Sequence, residues 1–372
     1  MNFDLSDDQK LLKETARTFL DRECGSTAVR KLLDDPRGMS EALWSKIVEL
    51  GWPGLAVPEE FGGLGLGFLD LAVVLEEAGR ALLPGPFFSS AVLGAMTLAD
   101  AGSDAQKKRW LPEIAAGRAL GTLAVVEEGG AWTPESVATK AQKTKGGFTL
   151  SGRKSAVLDA HVADFLLVAA RLDENVVLFL VEKGAKGLVI EPMKTVDGTR
   201  RIANVTLDGV KVDADTVVGS ATDGWPTIAR ALDRAAAGQA AEMVGGSTKV
   251  LEMSVEYARI RVQFGRPIGS FQAIKHKCAD MMVLAESARS AAYYAAWALE
   301  TGAPDARAAA SIAKAYASEA FRKCAGDGIQ IHGGIGFTWE HDMHLFFKRA
   351  KLGEMLFGDP IFHRDRLVAQ VV

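Results

Sequence analysis

The amino-acid sequence changes character twice, and these two changes constrain the fold more than any other feature. From about residue 120 to residue 223 it consists of short β-branched or aromatic runs separated by Gly, Asp or Lys, whereas both flanking regions have helical spacing. The runs cover residues 120–126, 147–150, 164–170, 176–181, 187–190 and 202–207. Several short strands at this spacing predict a small β-barrel or sandwich. The predicted fold class is therefore α+β, with a β-domain between two helical regions.

Helical spacing in the flanking regions predicts where the helices begin and end. Ser6 and Gln9 have the spacing of a capping box, with Leu5 as the preceding apolar residue, so a helix is predicted to begin there. Further helices are predicted over 68–82, 89–117, 285–300 and 305–326, with loops at 259–270 and 333–336. The resulting domains are an N-terminal α-helical domain (1–118), a middle β-domain (119–223) and a C-terminal helical bundle (224–372).

Charge and cysteine content argue against several classes of protein. The chain has 43 Lys and Arg against 47 Asp and Glu, a net charge of −4, which gives no electrostatic basis for binding nucleic acid. Cys24, Cys278 and Cys324 are too few and too scattered for a disulfide framework or a zinc site. The acidic N-terminal segment lacks the apolar stretch of a signal peptide, and no apolar run approaches the ~20 residues that span a bilayer. We therefore expect a cytoplasmic protein with neither a membrane anchor nor a metal site.

Several short motifs occur together in an order that resembles the acyl-CoA dehydrogenase family. The strongest are Arg-Val-Gln-Phe-Gly-Arg-Pro-Ile at 261–268, followed by Phe-Gln at 271–272, and Gln-Ile-His-Gly-Gly-Ile-Gly-Phe at 330–337. Residues 58–63 and 106–112 agree too, so the resemblance covers essentially the whole chain. It implies an N-terminal helical domain, a middle β-domain and a C-terminal four-helix bundle. It also implies FAD as cofactor and an acyl-CoA thioester as substrate, with a base removing the α proton while a hydride leaves the β carbon.

The resemblance assigns six residues to cofactor binding, and their chemistry suits FAD. Guanidinium groups bind pyrophosphate through paired hydrogen bonds, aromatic rings stack on flat heterocycles, and amides bind ribose or ring edges. Glycines allow the backbone to approach a phosphate closely. The six residues are Arg261, Phe264, Gln272, Gln330, Gly333 and Gly334.

The catalytic base that the family uses is absent from both of its usual positions. Phe357 stands where the family most often has a glutamate, and Ala235 stands at the alternative position. Neither side chain can accept a proton, which a general base must do. Glu354 lies one helical turn before Phe357 and is the candidate for a relocated base. Asp233 aligns with a position near the CoA pantetheine arm, so the resemblance implies a role in substrate binding.

The family's contacts to the flavin ring are altered as well. Val126 replaces a threonine, Ala156 replaces the tryptophan of the ring-covering segment, and Leu158 replaces its threonine. Asp359 and Ile361 replace two further residues that reach the cofactor. In the family one FAD lies across a dimer interface, its ring held by one subunit and its adenylate end by the other. This chain keeps the second set of residues and has lost much of the first.

The pattern resembles the companion subunit of heteromeric members such as the small subunit of pimeloyl-CoA dehydrogenase. The first hypothesis is therefore a flavoprotein subunit for α,β-dehydrogenation of an acyl-CoA of the dicarboxylic, alicyclic or steroid-derived kind, in a heterotetramer with a catalytically complete paralogue. Electron-transfer flavoprotein would be the electron acceptor. Two alternatives remain: a self-sufficient dehydrogenase with Glu354 as base, and a flavin-free acyl-CoA-binding or scaffold protein.

Overall fold

The N-terminal part of the chain is a set of helices around an apolar core. The computed structural model describes residues 4–371, so the first three residues of the acidic N-terminal segment and Val372 lie outside the described part. The helices are α1 (Asp7–Glu23), α2 (Ser26–Leu33), α3 (Glu41–Glu49), α4 (Phe68–Arg80), a buried π-helix (Ser89–Ala95), α5 (Met96–Ala101) and α6 (Asp104–Ala115). The predicted capping box is confirmed, because Ser6 accepts from the Gln9 amide and Gln9 accepts from the Ser6 amide.

The single helix predicted over 89–117 is wrong, because the chain forms three helical segments there. Gly102 is extended and ends α5, and Ser103 then accepts a hydrogen bond from the Gln106 amide and begins α6. A Ser followed three residues later by a Gln is the capping-box pattern that signals a new helix. The spacing of apolar residues stays helical on both sides of this break, so the sequence gave no sign that one helix ends and another begins.

The middle region folds into one hydrogen-bonded sheet of eight strands. These are β1 (Gly121–Ala124), β2 (Lys140–Lys143), β3 (Gly147–Leu158), β4 (Phe165–Leu172), β5 (Asn175–Glu182), β6 (Leu188–Pro192), β7 (Ile202–Asp213) and β8 (Val217–Val218). Their order is β6-β7-β3-β2-β4-β5-β8, with β1 added parallel to β4. Each of the six runs in the sequence overlaps one of these strands, although the run at 120–126 extends beyond β1 at both ends. The sequence missed β2, which is polar, and β8, which has two residues, because neither shows an apolar run.

The C-terminal region consists of five helices. They are α7 (Trp225–Ile260), α8 (Gln272–Thr301), α9 (Ala306–His332), α10 (Met343–Met355) and α11 (Pro360–Val371), and α9 packs against the other four. The predicted loop at 259–270 contains a short hairpin of β9 (Val262–Gln263) and β10 (Arg266–Pro267). Both predicted Ala-rich helices are longer than expected, since α8 begins at Gln272 and α9 ends at His332. None of the helices within residues 4–371 is long and apolar enough to cross a membrane.

Helices α4 and α7 cross closely and join the N-terminal and C-terminal regions. A Cβ atom at Gly245 would lie 1.8 Å from the Glu76 carbonyl oxygen, and one at Gly79 would lie 2.0 Å from the Glu242 carbonyl oxygen. Both glycines are therefore required by the contact between the two helix backbones. This crossing fixes α7, which carries Asp233 and Ala235, against the N-terminal core.

Candidate functional site

The six predicted cofactor-binding residues lie at one end of the C-terminal bundle. There the end of α7 and of α9 meet the beginning of α8: Lys277 and Asp327 form an ion pair of 2.7 Å between α8 and α9, and Tyr257 stacks on His332 with ring centroids 4.4 Å apart. The antiparallel arrangement of α8 and α9 brings Gln272 and Gln330, which are far apart in sequence, to the same end of the bundle.

The hairpin after α7 presents Arg261 and Phe264 to the outside. Phe264 is 90% exposed and has a φ of +53°, which its position in the tight turn imposes. The Phe264 and Phe271 rings meet at right angles with their centroids 6.0 Å apart, and the Arg266 guanidinium lies 4.3 Å from the centre of the Phe271 ring. Arg261 is exposed, and its side chain forms no hydrogen bond or ion pair with another described residue.

The two glutamines and the glycine pair are also exposed. Gly333 has a φ of +64° and ends α9, and Cβ atoms at Gly333 and Gly334 would meet no described atom within 4 Å. The backbone there is consequently open to an approaching group, which is what close contact with a phosphate requires. Gln272 and Gln330 have their amides available in the same region.

Two short stretches of chain next to Arg261 and the glycine pair carry large exposed apolar side chains. Exposed apolar surface of this kind is typical of an interface with another molecule. The residues, here called the apolar patch, are Ile260, Val262, Phe264, Ile335, Phe337 and Trp339. The end of the bundle thus combines donors suited to an anionic nucleotide with a surface suited to burial against a partner.

The position of the usual catalytic base is filled by a buried aromatic cluster. Phe357 is 5% exposed, stacks on Phe88 at 5.6 Å and contacts Trp132 at 5.5 Å between ring centroids. Ala235, at the alternative position, is fully buried on α7. The sequence identified Phe357 and Ala235 but not Phe88 or Trp132, because a single aromatic residue in a helix or loop gives no sign of what it contacts.

Glu354, the candidate for a relocated base, is engaged elsewhere. Its carboxylate lies 2.7 Å from Lys351 Nζ and 3.3 Å from Arg322 Nε. It does not line the cavity next to Phe357. One carboxylate oxygen faces Arg322 and the other faces Lys351, so both are engaged by cations of this chain. The sequence spacing alone could not show on which side of α10 these partners lie.

The loop that carries Phe357 is held by buried polar side chains. Lys314 is fully buried, and its Nζ donates to the carbonyl oxygens of Gly358 (2.8 Å) and Glu354 (3.2 Å). Burial lowers the pKa of Lys314 to about 7. Phe357 itself has a φ of +60°, an arrangement that is costly for a residue other than glycine and persists only when its surroundings enforce it.

His363 forms a further hydrogen bond to the same loop. Burial lowers the pKa of His363 to about 3, so its ring is neutral and carries one N–H. Nε2 lies 3.0 Å from the Phe357 carbonyl oxygen and therefore carries this hydrogen, while Nδ1 accepts from the Ser311 hydroxyl at 3.2 Å. Asp359 accepts from the Phe362 amide at 2.8 Å and begins α11. The loop is thus fixed at both ends.

Asp233, the predicted substrate-binding residue, is paired within the chain. Its carboxylate accepts from Arg366 Nη2 at 2.5 Å. Burial raises the pKa of Asp233, and the nearby Arg366 opposes this rise. The pair lies beside a cavity of about 160 Å³ that Phe357 also lines. Glu135 is the one carboxylate among the described residues lining this cavity, and it lies exposed at the rim, where hydrogen bonds lower its pKa.

At the positions where the family contacts the flavin ring, the side chains of this chain are buried or paired with one another. Val126 and Leu158 are buried, and Ala156 has a φ of +51°. The neighbouring Glu127 carboxylate pairs with the buried Lys154 at 2.6 Å. Burial lowers the pKa of Lys154 to about 8, and Glu127 partly offsets this effect. Glu127 therefore stabilises the loop after β1.

A buried charged cluster joins the three regions and was missed by the sequence analysis. Arg200, in the segment before β7, pairs with Glu242 on α7, and its guanidinium lies 5.1 Å from the centre of the Phe88 ring. Arg349 on α10 pairs with Asp197 at 2.8 Å. Removing one partner of a buried pair is strongly destabilising, so this cluster restricts relative movement of the segments it joins.

Comparison with known proteins gives a consistent result along the whole chain. Models of the acyl-CoA dehydrogenase N-terminal, middle and C-terminal domains match residues 6–118, 122–210 and 222–372. The chain is 35% identical over 366 residues to acyl-CoA dehydrogenase IpdE2 of Mycobacterium tuberculosis, covering 98% of each protein. It is similar to a chain of the ChsE4-ChsE5 complex from Mycobacterium tuberculosis, with 30% identity, a TM-score of 0.92 and coverage of 100% and 99%. It is also similar to butyryl-CoA dehydrogenase from Megasphaera elsdenii, with 26% identity, a TM-score of 0.92 and full coverage of both chains.

Proposed function

Since this chain belongs to the acyl-CoA dehydrogenase family and is an oxidoreductase of that family, we propose that it is the companion subunit of a heterotetramer. It would bind the adenylate end of an FAD whose flavin ring is held by a catalytically complete paralogue. The paralogue would remove the α proton of an acyl-CoA and pass the hydride to the flavin. Electron-transfer flavoprotein would then accept the electrons.

The filled base position is the observation that carries the proposal. α-Proton removal needs a proton acceptor within about 3 Å of the reacting carbon. Phe357 offers none, and its ring is packed between Phe88 and Trp132. Glu354 is bound by two cations away from this position.

The exposed end of the bundle supports the other half of the proposal. A guanidinium, two amides and an open glycine backbone suit a dinucleotide, and the chain itself leaves them uncovered. Arg261, Phe264, Gln272, Gln330, Gly333 and Gly334 would hold the FAD diphosphate, ribose and adenine. The apolar patch would be buried by the partner. One similar solved structure is a complex of two named components, ChsE4 and ChsE5, which supports a heteromeric assembly here.

Co-expression with a neighbouring paralogue tests this function. The chain alone should show negligible oxidation of acyl-CoA esters with a ferrocenium acceptor, and the complex should bind FAD and turn over. Glu354→Gln in this chain should leave the activity of the complex nearly unchanged. Robust turnover by the single chain, lost in Glu354→Gln, would instead identify a self-sufficient dehydrogenase. Binding of a CoA ester without flavin under both conditions would identify a scaffold or binding protein.

A further inference from the structure

A further cavity lies where the turn between α1 and α2 meets the end of α4, the middle of α7 and the start of α10. Its volume is about 250 Å³, and it shares no lining residue with the cavity beside Phe357. The six predicted cofactor-binding residues do not line it either. The cavity is therefore separate from both the cofactor end of the bundle and the Phe357 loop.

Part of the cavity wall is apolar and is built from five segments that are far apart in the sequence. The six side chains are Leu20, Val29, Leu82, Met253, Leu345 and Phe346. All except Met253 are at most 4% exposed, so packing against the core holds them in position. A site whose walls are already in position loses less entropy when it binds a small molecule. Since five of the six side chains are aliphatic, this wall suits an alkyl chain.

Two cations on α4 and α7 give the cavity a positive side. Lys249 lines it half-buried, and its ammonium group forms no hydrogen bond or ion pair within residues 4–371. Arg80 pairs with Glu252 at 2.5 Å through Nη1, but its buried Nε donates to no described residue. Lys249 lies one helical turn before Glu252, so the two cations lie on the same side of the cavity. A buried donor without an acceptor costs free energy, so a ligand oxygen here would be stabilising.

Two carboxylates also line the cavity, and they leave these cations available. Asp342 accepts from the Ser26 hydroxyl at 2.7 Å and from Arg30 Nη2 at 2.6 Å, so its charge is balanced within the chain. Asp21 is exposed, and water and salt screen its charge. Cys24 lines the cavity as well, and burial raises the pKa of its thiol to about 12, so it stays neutral beside an anion.

From these features we infer that the cavity binds a medium-chain carboxylate, with its alkyl chain against the apolar wall and its carboxylate at Lys249 and Arg80 Nε. A cavity of about 150 Å³ accepts the six carbons of benzene, so one of about 250 Å³ has room for a chain of about eight carbons. The site goes beyond the companion role proposed above and depends on neither FAD nor a partner subunit.

Titration of the purified full-length chain with octanoate tests the inference. By isothermal calorimetry, octanoate should bind saturably with a stoichiometry of one. Each buried methylene group is worth about fourfold in affinity, so hexanoate should bind about 15-fold more weakly. Lys249→Gln, which removes the free cation, and Ala81→Leu, which fills the cavity, should each weaken binding about tenfold or more. Lys31→Gln is the matched control, because Lys31 is an exposed lysine on α2 that does not line the cavity, and it should bind octanoate as the unmodified chain does.

Four outcomes would overturn the site. The first is no saturable binding of octanoate up to about 20 mM, where even a weak ligand of this size should be detected. The second is equal binding of the neutral octan-1-ol, which would show that the cations recognise nothing. The third is unchanged affinity in Ala81→Leu with native circular dichroism, which would place the ligand elsewhere. The fourth is displacement of octanoate by octanoyl-CoA, which would place octanoate in the family's acyl-CoA cleft.

Discussion

Replacement of Arg261 by alanine isolates the proposed role of the chain in FAD binding. The side chain is exposed and makes no hydrogen bond or ion pair with another described residue, so its removal takes no contact from the folded chain. Any loss must come from what the side chain contacts in the assembled oligomer. A hydrogen bond to a charged group is worth about 1.5–3 kcal/mol. That corresponds to a rise in the Kd for FAD of about 10- to 150-fold.

The measurement is a titration of the flavin-free heteromeric complex with FAD, followed by the fluorescence of the free flavin. Arg259→Ala is the matched control, because Arg259 is also exposed, lies two residues earlier in the last turn of α7 and is likewise without an ion pair among the described residues. We expect the control to bind FAD as the unmodified complex does. Unchanged FAD retention by the assembled Arg261→Ala complex would refute the assignment of Arg261 to the cofactor.

Three further predictions concern the assembly and the Phe357 loop. The complex should be a dimer of dimers by light scattering, because α8 and α9 present broad faces; a monomer at micromolar concentration would remove the basis for a shared cofactor. Phe357→Glu should not make the single chain active, since a carboxyl between Phe88 and Trp132 would have a raised pKa and stay protonated; turnover by this variant would contradict that. In the unmodified chain the free energy of unfolding should rise between pH 7 and pH 9, measured as an increase in the urea midpoint. Lys314→Met should remove this rise. The pKa of Lys314 is about 7 in the folded chain, so above pH 7 the unfolded chain holds a proton that the folded chain has released. This difference raises the free energy of unfolding by about 2 kcal/mol at pH 9 relative to pH 7. An equal pH dependence of stability in both proteins would show that Lys314 stays charged.

The fold could be predicted wherever local chemistry and sequence spacing agree. The capping box at Ser6 and the apolar runs of the sheet are of this kind, since each depends on residues close together in the chain. Strand β2 (Lys140–Lys143) could not be found in this way. It is a strand because β3 and β4 offer it backbone partners on both sides, and its own sequence is polar.

The candidate site could likewise be predicted only in part. Motif order was enough to predict that Arg261, Gln272 and Gln330 act together, and the structure places them at one end of the bundle. The partners of Glu354 and the packing around Phe357 could not be predicted, because they involve side chains from distant segments. Lys314 is the sharpest case. One lysine in an Ala-rich helix is typical of a solvated face, and only the fold shows that it is buried.

The loop at Phe357 links the buried lysine to the proposed division of labour between subunits. Removing an ammonium group from water costs several kcal/mol unless acceptors surround it, and here the acceptors of Lys314 include the carbonyl groups of that loop. A movement that withdrew Phe357 to admit the thioester end of a substrate would take those acceptors away from Lys314. It would also break the hydrogen bond from His363 to the Phe357 carbonyl group. These contacts therefore hold Phe357 at the position of the usual base, which supports the proposal that a partner subunit supplies the base.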